Sequence, residues 1–102
     1  MKILLVCGGG LSSSILMKNM KSWAESNDAD LEEVLAIGQG ELEKMAPNYD
    51  CVLVAPQIAH AYKIMREQTD KPLGKIPPLD YAMGNGENVY KFAEKLLEDS
   101  KV

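Results

Sequence analysis

Two uninterrupted apolar runs, Ile3-Leu4-Leu5-Val6 and Cys51-Val52-Leu53-Val54-Ala55, constrain this chain more than any other feature. Neither alternates polar with apolar, so a strand formed from either one must be covered on both faces. That is the condition of strands in a parallel sheet. Between and after the runs, apolar residues recur at helical spacing. Ile15, Leu16, Met20 and Trp23 predict a helix from about residue 13 to 26, with Ser12, Ser13 and Ser14 as N-cap hydroxyls. Ile58, Ala61, Tyr62 and Met65 predict a second helix, opened by Pro56 and ending near Thr69. Val89, Phe92, Ala93, Leu96 and Leu97 predict a last one after a turn at Asn85-Gly86. Leu31, Val34, Leu35 and Ile37 suggest another strand, and Leu73 to Ile76 a short fourth one curtailed by Pro77-Pro78. Residues 41–46 suit a short helix stopped by Pro47.

Strands alternating with helices predict an α/β fold, a four-stranded open parallel sheet with helices on both faces. With the second strand outside the first, the strand order is 2-1-3-4. Ligands of such sheets bind at the carboxyl ends of the strands, at the switch point between strands one and three. That directs attention to the loops at residues 7–13 and 56–59.

The length of 102 residues fits one domain spanning 1–102, and no apolar run reaches the roughly 18 residues of a membrane span. The net charge of −4 argues against a nucleic-acid binder, which needs a clustered basic face. Two cysteines are too few for a disulfide scaffold or a four-ligand zinc site. These bounds describe a small acidic cytosolic domain with room for one simple site.

The loop Cys7-Gly8-Gly9-Gly10-Leu11-Ser12-Ser13-Ser14 supplies the chemistry. Glycines let successive backbone N–H groups converge on an anion, and the following helix aims its positive end at the same place. Three hydroxyls add donors. At the mouth stands a thiol, and a helix N-terminus favours the nucleophilic thiolate. A sulfur nucleophile beside a phosphoryl cradle suggests a phosphocysteine intermediate, with Cys7 as the catalytic residue and positions 8–14 as the phosphate-binding residues. Other glycine loops fit less well. A Walker loop ends in Gly-Lys-Ser/Thr, whereas the first lysine after these glycines is Lys18. A dinucleotide fingerprint is matched only in part by Gly8, Gly10 and Ser13. A Cys-x-x-Cys pair is absent, since Gly10 holds its second position. The loop and the topology also resemble the low-molecular-weight tyrosine phosphatases, where Cys, five residues, Arg and Ser follow one another. Here Ser13 stands at the arginine position, so the clamp that drives phosphate ester cleavage is missing.

The opening strand, Cys7, Gly10-Leu11-Ser12-Ser13-Ser14 and the segment Val54-Ala55-Pro56-Gln57-Ile58-Ala59 together resemble the enzyme IIB component of the bacterial sugar phosphotransferase system, in its lactose/cellobiose (N,N′-diacetylchitobiose) family. Gly8-Gly9 departs from the small non-glycine residue common there, and residues 80–86 match only loosely. The resemblance implies a cytoplasmic phosphorelay. A phosphohistidine on enzyme IIA gives its phosphoryl group to Cys7, and a sugar held by the membrane component IIC then takes it, with no cofactor or metal. A cysteine phosphatase and an unmodified anion-binding regulatory module are the alternatives.

Pro56, Gln57 and Ile58 are candidate contacts to a partner or to the phosphoryl group. Cys51, at the other end of its strand from Cys7, is expected in the core, about 10–15 Å away. His60 reads as a structural or solvated histidine. Met17, Met20, Met45, Met65 and Met83 read mostly as core filling, with adaptable contacts at loop rims. Brief docking with relay partners fits a monomer.

Overall fold

The computed structural model describes residues 1–7 and 11–100, without the side chains of Leu11 and Ser12. The chain runs β1 (Lys2–Val6), α1 (Leu11–Ser26), β2 (Glu33–Ile37), α2 (Leu42–Met45), β3 (Cys51–Val54), α3 (Tyr62–Gln68), β4 (Leu73–Lys75), α4 (Pro78–Ala82) and α5 (Gly86–Asp99). Single-turn 3₁₀ segments flank α2, at Gln39–Glu41 and Ala46–Asn48, and a longer one at Pro56–Ala61 precedes α3. The sheet order is β2-β1-β3-β4, all parallel. The expected architecture is therefore the observed one.

The apolar runs occupy the middle of the sheet because each of their side chains finds an apolar partner above or below. Ile3, Leu5 and Cys7 point to one face, with Cys51, Leu53 and Ala55 beside them, under α1 and α5. Leu4 and Val6 point to the other, with Val52 and Val54, under α2 and α3. All eight strand side chains among these are at most 1% exposed, each stabilising the fold by about 1.5–3 kcal/mol through burial. On the first face Leu16 and Met20 of α1 meet Val89, Tyr90 and Ala93 of α5. The helices come so close that a Cβ on Gly86 would stand 2.5 Å from the Asn19 backbone. Gly84, the one described glycine with a positive φ (+61°), turns the chain into α5, and its carbonyl accepts a 2.7 Å hydrogen bond from the Asn19 side chain.

Several sequence expectations need correction. Helix α1 opens at Leu11, so Ser12, Ser13 and Ser14 lie inside its first turn instead of ahead of it. The helix expected from Pro56 to Thr69 is broken. Ile58 adopts φ −121°, ψ 22°, which splits a 3₁₀ segment from α3, and α3 ends at Gln68. Pro77-Pro78 does not merely stop β4, because Pro78 opens α4, where a proline's missing N–H costs nothing. Asn85 is the N-cap of α5, its side chain accepting from the Asn88 N–H, and Gly86 is the first helical residue. Met83 is 68% exposed, unlike the buried Met20 and Met65. No helix among the described residues is long and apolar enough to cross a membrane.

Candidate functional site

Cys7 is the first residue past the carboxyl end of β1, where the sheet stops covering both faces. Its N–H still extends the ladder, donating to the Ile37 carbonyl at the end of β2 over 3.0 Å. Its thiol turns to the same oxygen, at 3.7 Å. On the other side Ala55 continues the pairing by donating to the Val6 carbonyl. Cys7 thus stands at the switch point, with its neighbour strands ending beside it. It is only 6% exposed, so a reacting group must come down to it.

A cleft of about 620 Å³ gives that access. Cys7 shares it with Ser13 and Ser14 from the first turn of α1, with Ile37, Gly38 and Gln39 from the end of β2, and with Ile58 from the kinked segment. Ser13 is buried, one of few polar side chains so placed, while Ser14 is exposed. A helix presents unbonded N–H groups and partial positive charge at its start. The wall at Ser13 and Ser14 is therefore the electropositive one, and an anion on the sulfur would face it.

Tyr81 of α4 lies near Cys7 but outside the lining of this cleft. It is 6% exposed and packs in the same cluster as Cys7 and Ala55. Burial pushes its hydroxyl above the ordinary tyrosine range. A hydrogen bond with the Gln57 side chain acts the other way, and negative charge on Cys7 would add to the rise. Tyr81 therefore stays protonated at neutral pH within electrostatic reach of the sulfur.

Of the residues expected at the site, Cys7, Ser13, Ser14 and Ile58 meet in one cleft. Gln57 meets Tyr81 and does not line the cleft, and half-buried Pro56 begins the segment that carries Gln57 and Ile58. The expectation for Gly8, Gly9 and Gly10 lies outside the described residues, as do the side chains of Leu11 and Ser12. His60 is exposed and outside the cleft lining. Sequence reasoning missed Tyr81. Its signal was a tyrosine soon after the carboxyl end of a strand, hidden by reading Pro77-Pro78 as an endpoint. It also missed Gly38 and Gln39, which follow the carboxyl end of β2 and so obey the same positional rule. Among the described residues no three His, Cys, Asp or Glu side chains group as a metal site.

An open parallel α/β sheet with a thiol at its switch point, beside a helix start, is the class of protein this fold defines. Comparison with known proteins narrows it. The family described as the PTS system, lactose/cellobiose specific IIB subunit matches residues 2–92. The oligo-β-mannoside-specific EIIB component of Bacillus subtilis is 30% identical over 99 residues, covering 94% of this chain and 95% of that one. The solution structure of a cellobiose-specific phosphotransferase IIB component from Borrelia burgdorferi superposes with a TM-score of 0.81. It is 33% identical and covers 97% of this chain and 93% of that one. A lactose-specific EIICB component of Streptococcus mutans is 28% identical over 102 residues, 95% of this chain but 18% of that protein. The chain belongs to the lactose/cellobiose-specific IIB subunits of the sugar phosphotransferase system.

Proposed function

We propose that this chain carries a phosphoryl group on Cys7, taking it from a phosphohistidine of an enzyme IIA and giving it to a disaccharide of the cellobiose, chitobiose or lactose type. The observation that carries this reading is the position of the Cys7 sulfur. It sits at the carboxyl edge of the sheet in a cleft shared with the first turn of α1. In the first step the thiolate attacks phosphorus, the S–P bond forms, the N–P bond breaks and the donor imidazole leaves neutral. In the second, a sugar hydroxyl oxygen attacks phosphorus, the S–P bond breaks, Cys7 leaves as thiolate and the hydroxyl proton is released.

The residues match these demands. A thiol can donate to the Ile37 carbonyl, but a thiolate or phosphothiol cannot, so activation frees the sulfur to turn toward the start of α1. There the helix dipole and the hydroxyls of Ser13 and Ser14 face the phosphoryl oxygens. Backbone N–H groups of residues 8–13 would complete the cradle, without a metal or cofactor. No guanidinium stands at position 13, so the site holds the group without clamping it, which suits a carrier better than a phosphatase. Tyr81, hydrogen-bonded to Gln57, lies within electrostatic reach of the sulfur, and Ile58 lines the cleft.

The sugar would be held by a membrane component IIC. The covalent union of C and B units named for the S. mutans relative supports that partner. We place the chain on the cytoplasmic side, acting as a monomer that docks briefly with each partner and with no nucleic acid.

The test is to incubate the chain with phosphoenolpyruvate, the two general phosphotransferase proteins and a matching IIA, then to measure intact mass and map the modified residue. One phosphoryl group on Cys7, lost in Cys7→Ser, supports the carrier. Phosphate release from an aryl phosphate without partners would instead mark a phosphatase. No modification under either condition would leave an anion-binding module.

A further inference from the structure

The described glycines around the site divide into two kinds. Gly84 needs its positive φ, and Gly86 needs its missing side chain because Asn19 occupies the space. Gly38 needs neither. Its φ of −82° and ψ of 162° are extended backbone open to any residue, and a Cβ there would meet none of the described residues within 4 Å. Glycine at such a position only adds freedom to the unfolded chain, so the fold gains nothing from it. Yet Gly38 follows directly on Ile37, whose carbonyl accepts from both the N–H and the thiol of Cys7, and it lines the Cys7 cleft.

We propose that Gly38 is a specificity-determining position, kept free of a side chain so that the bulky groups that bring and remove the phosphoryl group can reach phosphorus on Cys7. This rests on the carrier reading above. In phosphoryl transfer the entering and leaving atoms lie in line on opposite sides of phosphorus. With sulfur on one side, the other side is occupied first by the donor's imidazole nitrogen and then by the sugar's hydroxyl oxygen. Donor and acceptor, different as they are, must therefore use one opening, and Gly38 lies on its rim. A side chain at 38 would stand where they pass while leaving the thiol itself intact.

The experiment compares the full chain with Gly38→Ala, Gly38→Val and Gly40→Ala. Gly40 also has none of the described residues within 4 Å of a Cβ but does not line the cleft. Four quantities are read: the melting temperature, the rate of Cys7 alkylation by iodoacetamide, the rate of Cys7 phosphorylation by phosphorylated IIA, and the rate of transfer onward to sugar with IIC membranes. For Gly38→Val we expect an unchanged or higher melting temperature and alkylation within about twofold of the parent. Both transfer rates should fall by about tenfold or more, since small displacements of reacting groups carry rate penalties of this order. Gly38→Ala should lie between, and Gly40→Ala should match the parent. Transfer by Gly38→Val at the parent's rate would overturn the proposal, as would an equal loss in Gly40→Ala or a loss matched by slowed alkylation. A parent chain that never becomes phosphorylated on Cys7 would bring down the carrier reading itself, a different result from any of these.

Discussion

Cys7 and Cys51 lie on the same face of the sheet, in one apolar cluster, and both are buried free thiols. Cys51 pairs in register with Ile3, four residues before Cys7, so the two sulfurs mark opposite ends of adjacent strands. Burial scarcely distinguishes them, at 6% and 0% exposure. What differs is the end of the sheet each one occupies. At the carboxyl end, β1 hands over to a loop and a helix start, and a cleft opens above the sulfur. At the amino end, Cys51 lines none of the clefts described, and the Asp50 charge acts on its thiol. Burial above all, and Asp50 in addition, push Cys51 up to about 12, with the chain's amino terminus opposing. In a parallel sheet every strand points its carboxyl end the same way, so a thiol's reactivity follows from which end of its strand it stands on.

The largest effect that can break this comparison is the response to high pH. Cys51 holds its proton more tightly in the fold than its ordinary value of 9.0. Tyr49, through its hydrogen bond to Glu33, then burial and then the Glu33 charge, is likewise raised from 10.0 to about 12. The unfolded chain gives up these protons first. Their stabilisation is therefore complete below about pH 9 and is lost as pH climbs toward 12, at up to about 1.4 kcal/mol per pH unit for each lagging group. Urea unfolding midpoints between pH 8 and 12 should fall accordingly. Cys51→Ala should flatten the part of the curve between about 9 and 10, before Tyr49 begins to contribute. A flat profile in the parent would mean that the amino-end thiol is not sealed.

Cys51→Ser sharpens the contrast at neutral pH. It places a hydroxyl among Leu53, Ile3 and their neighbours and should cost about 1–3 kcal/mol in urea denaturation. The rate of phosphorylation at Cys7 should not change. The smallest effect belongs to Tyr81→Phe. Losing the hydroxyl's bond with Gln57 should cost about 1 kcal/mol or less. Because Tyr81 lies within electrostatic reach of the sulfur, the rate of Cys7 alkylation should change in that variant and stay constant in Tyr62→Phe, whose hydroxyl donates to Leu73 away from the site.

How much of this was legible in the sequence depended on the range of the interactions. The central strands were legible because full apolar runs permit only burial on both faces; the alternation with helices implied a parallel sheet, and its order followed once the second strand was set outside the first. The position of Cys7, beside a helix start at the end of a strand, was legible because strand, glycines and serines follow one another within one local segment. Ile58 was expected at the site, but its kink was not, since nothing local announces it. Nor was α4, because Pro78 reads equally as a stop and as a first helical residue. Tyr81 and Gly38 come to Cys7 from 74 and 31 positions away in the chain, brought there by β4 and β2. Glycine itself carries two meanings that only packing separates: Gly86 is demanded by a neighbouring helix, Gly38 by no contact among the described residues.

The most direct measurement is the site-mapped mass of the chain after incubation with phosphoenolpyruvate, the general phosphotransferase proteins and IIA. A carrier of the kind proposed gains one phosphoryl group on Cys7. It gains none as Cys7→Ser, although that variant keeps the parent's unfolding midpoint within about 1 kcal/mol. A chain that stays unmodified with all partners present, or that carries the group on any residue other than Cys7, contradicts it.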